Sequence, residues 1–246
     1  MRAYQTYFAS GQYDRRYPGA NLTTWARILA ELPPAAHVVD FGCGSGRYLL
    51  RLQGRVARAA GFDISAAAID LLKARAARAG WAELDILGPD PDALDSYAAR
   101  SGPADAVLCL FGVLAHIDDP GARRAALGRM HGLLKPGSGR LLVSVPNRRR
   151  RFFREQRAAG PEARGRIAYT RHLGRERITL PYQLYDPASL RAELEAAGFR
   201  IHTVRAESVL PESWVLNRAP LRWLDRLLTP LCPARWGYGI LAVAAS

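Results

Sequence analysis

A five-residue apolar run at 37–41, HVVDF, passes directly into Gly42-Cys43-Gly44-Ser45-Gly46 and then into RYLLRLQG, and no other feature restricts the fold as much. A run that short, without alternation, reads as a strand buried on both faces. The glycines behind it supply a sharp turn and leave the backbone bare for a ligand to approach. With a helix read over 47–54, the unit is strand, Gly-rich turn, helix, which opens a doubly wound α/β sheet.

The alternation repeats along the chain. Strands are read at 58–63 (RAAGFD), 82–87 (AELDIL), 104–111 (ADAVLCLF) and 140–145 (RLLVSV), helices at 65–80 and 123–135, and a Pro- and Asp-rich turn in GPDPDAL. Ahead of them Leu22, Trp25, Ile28, Leu29 and Leu32 fall at helical spacing up to Pro33-Pro34, while the tyrosines further forward sit outside the core pattern. After Pro146 the rhythm breaks: 147–186 reads as an insertion in which RIAYT and RITLPY pair as a hairpin around HLGRE. A helix capped by Asp186 and Pro187 follows, then strands at 199–208 and 237–246, with a second insertion at 211–236 between them. The 246 residues show no internal repeat and no clean linker, so the expectation is one domain, 1–246, carrying two insertions.

Composition excludes several classes. Hydrophobic residues at 49% and charged residues at 23% are ordinary for a globular chain and rule out collagen-like or low-complexity types. Cys43, Cys109 and Cys232 are too few and too widely spaced for a disulfide framework or a zinc site, so a reduced, cytoplasmic setting without a structural metal is expected. The first residues lack the apolar core of a signal peptide, and no stretch approaches the roughly 18 apolar residues of a membrane span.

What the turn binds is narrowed by its neighbours. A dinucleotide fingerprint needs glycine at position 47, where this chain has Arg47. Asp40 sets a carboxylate beside the loop, able to hold a cationic amino group and repelling a pyrophosphate. Asp63 stands 21 residues after Gly42 at the tip of the second strand, where a carboxylate accepts ribose hydroxyls.

Together GxGxG, Asp40 and Asp63, with DAVLCLFGVLAHI and KPGSGRLLVSVP further on, resemble the class I S-adenosylmethionine-dependent methyltransferases over about residues 37–146. The resemblance implies a Rossmann-like seven-stranded sheet, mostly parallel with an antiparallel last strand, and S-adenosyl-L-methionine across the carboxyl ends of strands one, two and four. It places Asp40, Gly42, Gly44 and Ser45 along the methionine half, with Cys43 and Gly46 as further cofactor-binding residues of the same loop, Asp63 and Ile64 at the ribose and adenine, and Asp90, preferred over Asp92, at the adenine amino group. Phe111 and Gly112 back the reactive sulfonium. Leading segments in this family fold over the cofactor, a part open here to Tyr4, Tyr7, Tyr13 and Tyr17 with Arg16; of these Tyr13 and Arg16 are taken as cofactor contacts. Each aspartate has a plain alternative as a helix or turn cap.

Methyl transfer needs an aligned nucleophile and, where that nucleophile carries a proton, a base. His116 follows the fourth strand at the carboxyl edge and is the candidate base; otherwise it caps the next helix or packs on the sheet. His172 lies in the first insertion near Tyr169, Tyr182 and Tyr185, which form either an acceptor lid or hairpin packing. No [DN]PP[YF] follows the fourth strand, which speaks against DNA amine chemistry, and with only Lys73 and Lys135 no Lys-Asp-Lys-Glu set for ribose methylation can be assembled.

Residues 147–178 carry eleven arginines against three glutamates, +8 of the chain's +13. RNA phosphates are one destination for that charge, and a tRNA-modifying methyltransferase is the corresponding alternative. The other joins it to Trp214, Leu221, Trp223, Leu224, Leu227, Leu228 and Leu231, interleaved with Arg218, Arg222 and Arg226, as a peripheral membrane contact or an apolar acceptor pocket. The bland alternative is an extra helix packed on the sheet with a solvated basic face. The expected activity is methylation of a small lipophilic or aromatic acceptor, with oxygen favoured; a cofactor-binding scaffold without turnover is the alternative of another class.

Overall fold

The computed structural model describes residues 2–173 and 176–246, the side chains of 2–4, 173 and 176 excepted, so the Tyr4 side chain and the middle of HLGRE lie outside what is described. The chain begins with helices α1 (Arg2–Ala9), α2 (Gln12–Arg16) and α3 (Leu22–Glu31) and enters the sheet at β1 (His37–Phe41). It continues through β2 (Arg58–Phe62), α4 (Ala66–Arg78), β3 (Asp85–Leu87), α5 (Asp92–Ser101), β4 (Ala106–Cys109), α6 (Pro120–Gly132) and β5 (Arg140–Pro146). Then come α7 (Phe153–Ala159), the strands β6 (Arg166–Leu173) and β7 (Glu176–Gln183), α8 (Pro187–Ala196), β8 (Arg200–Ser208), α9 (Glu212–Asn217), α10 (Ala219–Leu228) and β9 (Gly239–Ala245).

Local chemistry starts the helices where the sequence signals them. The Asn21 carboxamide accepts from the Thr23 and Thr24 amides at the head of α3, and Asp186 with Ser189 forms a reciprocal capping box ahead of α8. Seven strands form one sheet in the order β3-β2-β1-β4-β5-β9-β8, parallel except for β9, which runs antiparallel to both β5 and β8. Every residue of β1 and β4 is buried, because helices cover both faces of the central strands. The strand order reverses between β1 and β4, and a crevice opens there at the carboxyl ends. Among the described residues no helix is long and apolar enough to cross a membrane.

Three sequence expectations change. The helix read over 47–54 is one 3₁₀ turn, Leu49–Leu52: Leu49 and Leu52 are wholly buried, and Gly54 (φ +71°) turns the chain toward β2 before an α-helix propagates. The turn read in GPDPDAL stops at Pro91, after which α5 forms because Leu94 and Tyr97, three apart, both reach the core. Tyr7, set outside the core pattern, is only 6% exposed, since α1 and α2 fold back over the carboxyl edge of the sheet. The expected hairpin forms and is longer than read, with Arg166 paired to Gln183 at its base.

Candidate active site

Two glycine-dependent bends, at the ends of the neighbouring strands β1 and β4, build the crevice. After β1, Gly42 adopts φ +82°, and a Cβ there would enter the Val113 side chain. Its amide and that of Cys43 both donate to the Phe62 carbonyl, at 2.7 and 3.0 Å, which ties the loop to the end of β2. After β4, Phe111 and Gly112 are both left-handed, at φ +61° and +78°, and a Cβ on Gly112 would lie 2.7 Å from the Tyr182 hydroxyl. A left-handed phenylalanine is strained by about 1 kcal/mol or more, and Ser144 holds it in place. The Ser144 hydroxyl accepts from the Phe111 amide at 2.7 Å, and the Ser144 carbonyl accepts from Gly112 at 3.0 Å.

Two carboxylates flank the first bend. Asp63 accepts from the Gly44 amide through Oδ2 (2.9 Å) and from the Ser65 amide through Oδ1 (2.8 Å). Burial raises its carboxyl above the ordinary range, and those two hydrogen bonds oppose the rise. Asp40 is 4% exposed, and burial, reinforced by the charge of Asp63 and opposed by Arg47, pushes it up to about 7. A site that raises a carboxyl this far favours a cationic occupant. Binding of an ammonium-bearing ligand is therefore expected to strengthen as pH rises through about 7, when Asp40 gives up its proton, and to level off above. Titration calorimetry from acid to mildly alkaline pH checks this, and Asp40→Asn should remove the dependence.

Arg47 faces them. Its guanidinium carbon lies 3.9 Å from the Phe111 ring centroid and 5.0 and 5.5 Å from those of Tyr13 and Tyr17, and its buried Nη1 and Nη2 have no hydrogen-bond partner. The tyrosine rings above it belong to the N-terminal segment, which is pinned down by charge. Asp14 takes the Ser45 hydroxyl (2.8 Å) and Arg75 (2.8 Å), and Arg75 also donates to the Ser45 Oγ (2.9 Å).

Three hollows meet at this point. The largest, about 490 Å³, is mainly apolar and includes Phe62, Asp63, Ile64, Leu94, Val113 and Ile117; Ile64 is 42% exposed on its rim. The second, about 40 Å³, includes Asp40, Cys43, Gly44, Ser45, Arg47 and Phe111, and shares Gly42, Asp63 and Val113 with the first. A third of about 30 Å³, walled by Tyr7, Tyr17, Tyr169 and Tyr182, shares Tyr13 and Phe111 with the second and His116 with the first. Its volume holds about one water molecule.

The third hollow is dense in charge. The His116 ring lies 4.4 Å from that of Tyr182 and hydrogen-bonds the Pro181 backbone; burial, helped by Arg151 and Arg171, pushes its imidazole down to about 3. Glu207 accepts from the Thr24 hydroxyl at 3.2 Å and bonds Ser144, and burial followed by the charge of Glu212 pushes its carboxyl up to about 8. Arg151 Nη1 stands 4.0 Å from Glu212, and the Nε atoms of Arg151 and Arg171 are buried without a partner.

The remaining sequence candidates divide. Tyr13, Cys43, Ser45, Ile64, Phe111 and Gly112 line the hollows. Burial holds the Cys43 thiol well above its usual range, so it stays protonated. Gly46 (φ +88°) turns the loop away, and an added Cβ there would meet Leu72 and Leu50. Asp90 is exposed beside Pro91 at the rim of the largest hollow, and its Oδ1 accepts from the Asp92 amide at 3.0 Å. Arg16 is exposed and gives its carbonyl to Asn217 at 2.9 Å. His172 faces outward, because the two-residue alternation of β6 turns Ile167, Tyr169 and Arg171 inward and Thr170 and His172 away. Tyr185 is buried without lining the third hollow.

Sequence reasoning misses Arg47 as a site residue, although it stands inside the glycine motif, and misses Arg151, Arg171, Glu207 and Glu212, which carry no local signal. Part of the basic run is structural: Arg148 pairs with Asp186 and Arg150 donates to the Trp236 carbonyl. Among the described residues no cluster of His, Cys, Asp and Glu can hold a metal ion.

A family model described as a methyltransferase domain matches residues 13–204. The chain is 30% identical over 196 residues to ubiquinone biosynthesis O-methyltransferase of Xanthomonas axonopodis pv. citri (strain 306), covering 79% of this chain and 74% of that protein. It is 30% identical over 155 residues to trans-aconitate 2-methyltransferase of Paracidovorax citrulli (strain AAC00-1), 60% of this chain but only 55% of the length of that relative. Similar solved structures include a DhpI-SAM-HEP complex (TM-score 0.66, 18% identity, 100% of this chain and 97% of that one). Another is the CcbJ methyltransferase from Streptomyces caelestis (TM-score 0.61, 16% identity, 93% and 90%). At these identities the structural likeness shows the fold alone.

Proposed function

Because the chain belongs to the class I S-adenosylmethionine-dependent methyltransferases, we propose that it methylates an oxygen of a small acceptor held in the tyrosine-walled hollow. The observation that carries this reading is the junction between hollows: the aromatic chamber meets the cofactor crevice at Tyr13, Phe111 and His116.

The residues of the crevice suit the cofactor group by group. The two partnerless Arg47 nitrogens match a carboxylate, and Asp40 matches the ammonium beside it. Gly44 and Ser45 border this end. Each Asp63 oxygen already takes one amide hydrogen and keeps a lone pair for a ribose hydroxyl. Ile64 and Leu94 offer apolar cover for adenine, and the exposed Asp90, next to Pro91 on that rim, is the carboxylate that would meet its amino group. When bound, S-adenosylmethionine supplies an electrophilic methyl group on a positively charged sulfur.

The chain's own part is to seat the acceptor and take its proton. Five tyrosine rings suit a flat, largely apolar acceptor, and Arg151 and Arg171 suit an oxygen-rich edge on it. His116 is the base by position, yet an imidazole pushed down to about 3 holds a proton poorly. It serves better by hydrogen-bonding the acceptor, while Glu207, pushed up to about 8, is the stronger proton sink in the same chamber. Glu207 works only when ionised, so turnover should climb with pH through about 8. Glu207→Gln should remove that climb and lower kcat about 10²- to 10⁴-fold with little change in KM. A flat pH profile that survives Glu207→Gln would instead mean an acceptor already ionised, such as a carboxylate. Because the chamber has room for about one water, an acceptor larger than that needs its walls to part before it can enter.

The deciding experiment uses S-adenosylmethionine labelled on its methyl group with separate small-molecule, lipid and RNA fractions of a cell extract. Label in small, extractable aromatic compounds supports the proposal. Label in RNA moves the acceptor to the tRNA alternative, and tight cofactor binding without any label transfer leaves a non-catalytic binder.

A further inference from the structure

Helix α10 sits on the protein with the wrong face inward. Trp223, Leu224, Leu227 and Leu228 form one stripe along it, and all are exposed, Leu227 by 70%; Leu231, on the turn that follows, is 82% exposed. The helix is held from its opposite side by an acid. Asp225 is 1% exposed, and its Oδ1 accepts from the Val209 and Leu210 amides at 2.8 Å each. Amphipathic helices ordinarily bury the apolar stripe. Trp214 on α9 and Trp236 on the turn before β9 are two further exposed aromatics of the same 211–236 segment.

Charge identifies what covers it. Arg218, Arg226 and Arg235 are exposed and lie 6.0, 5.5 and 5.7 Å from the ring centroids of Trp214, Trp223 and Trp236. The two acids of this segment, Glu212 and Asp225, are both buried, so every charged side chain that 211–236 shows to solvent is a cation. A second copy of a chain carrying +13 would set arginine against arginine. We propose that α10 and the turn after it rest on an anionic lipid bilayer, with the Trp and Leu side chains at the headgroup–acyl boundary and the arginines against lipid phosphates. Asp225 ties this helix to the loop between Glu207 and Glu212, so the bilayer contact adjoins the acceptor chamber wall.

The test is flotation of the full chain with vesicles of phosphatidylglycerol and phosphatidylcholine, or of phosphatidylcholine alone. Binding to the anionic vesicles should be about tenfold or more tighter than to the neutral ones and should weaken with salt. Leu227→Glu with Leu231→Glu should abolish it, leaving the melting temperature and cofactor binding unchanged because both side chains are already in solvent. No binding to anionic vesicles at low salt, or equal binding by the double variant, overturns the proposal. So does a dimer in sedimentation that the double variant dissociates, which would make a second copy the cover. None of these readouts involves methyl transfer, so the proposal stands or falls separately from the activity.

Discussion

Arg47→Met is expected to weaken S-adenosylmethionine binding by about 10- to 100-fold, through loss of a charge-assisted, two-pronged hydrogen bond worth about 1.5–3 kcal/mol. Methionine keeps much of the packing between Phe111, Tyr13 and Tyr17, so the charged fork is the main loss. The control is the decarboxylated cofactor. Its affinity for the parent chain should already be low, and Arg47→Met should scarcely change it. Equal losses for both ligands by calorimetry would show that Arg47 acts through the aromatic cap and makes no contact with a carboxylate.

Asp63→Ala should have a larger effect, because one side chain serves the loop and the ligand. It leaves the Gly44 and Ser65 amides without their acceptors, a penalty of about 1–3 kcal/mol for each buried donor, less what is regained by no longer burying a carboxylate. A fall in melting temperature of roughly 5–10 °C follows for a chain of this size. Cofactor affinity should drop by more than about 100-fold, since the variant loosens the loop and removes the acceptor for the ribose hydroxyls at once. Asp63→Asn separates the two roles. Its carbonyl oxygen still serves one amide while its NH₂ group faces the other, so part of the stability should return and the affinity should not. Unchanged affinity in Asp63→Ala would reject the ribose role.

Legibility in the sequence follows distance along the chain. The strand, glycine turn and paired acids at 37–63 are local, and they are readable because glycine conformations and strand burial depend on near neighbours. Arg47 lies in the same stretch, where its plainest meaning is that it breaks a dinucleotide motif. Arg151 stands in a run of four arginines that looks like a solvated face, and nothing local distinguishes the one that turns inward. Glu207 sits in a strand whose outer half alternates, and its environment comes from Thr24, Ser144 and Glu212, contributed by three separate segments.

The amino-acid order alone determined the sheet, the turn at Gly42 and the two acids beside it, since each depends on hydrophobic period and on which residue tolerates a positive φ. Only the tertiary structure decided that burial pushes the His116 imidazole down and the Glu207 carboxyl up, and which side of α10 meets solvent. Those outcomes depend on desolvation and on charges brought together from remote parts of the chain. A protonation state or an exposed stripe has no counterpart in local spacing: the same imidazole or leucine behaves differently according to what the fold packs against it.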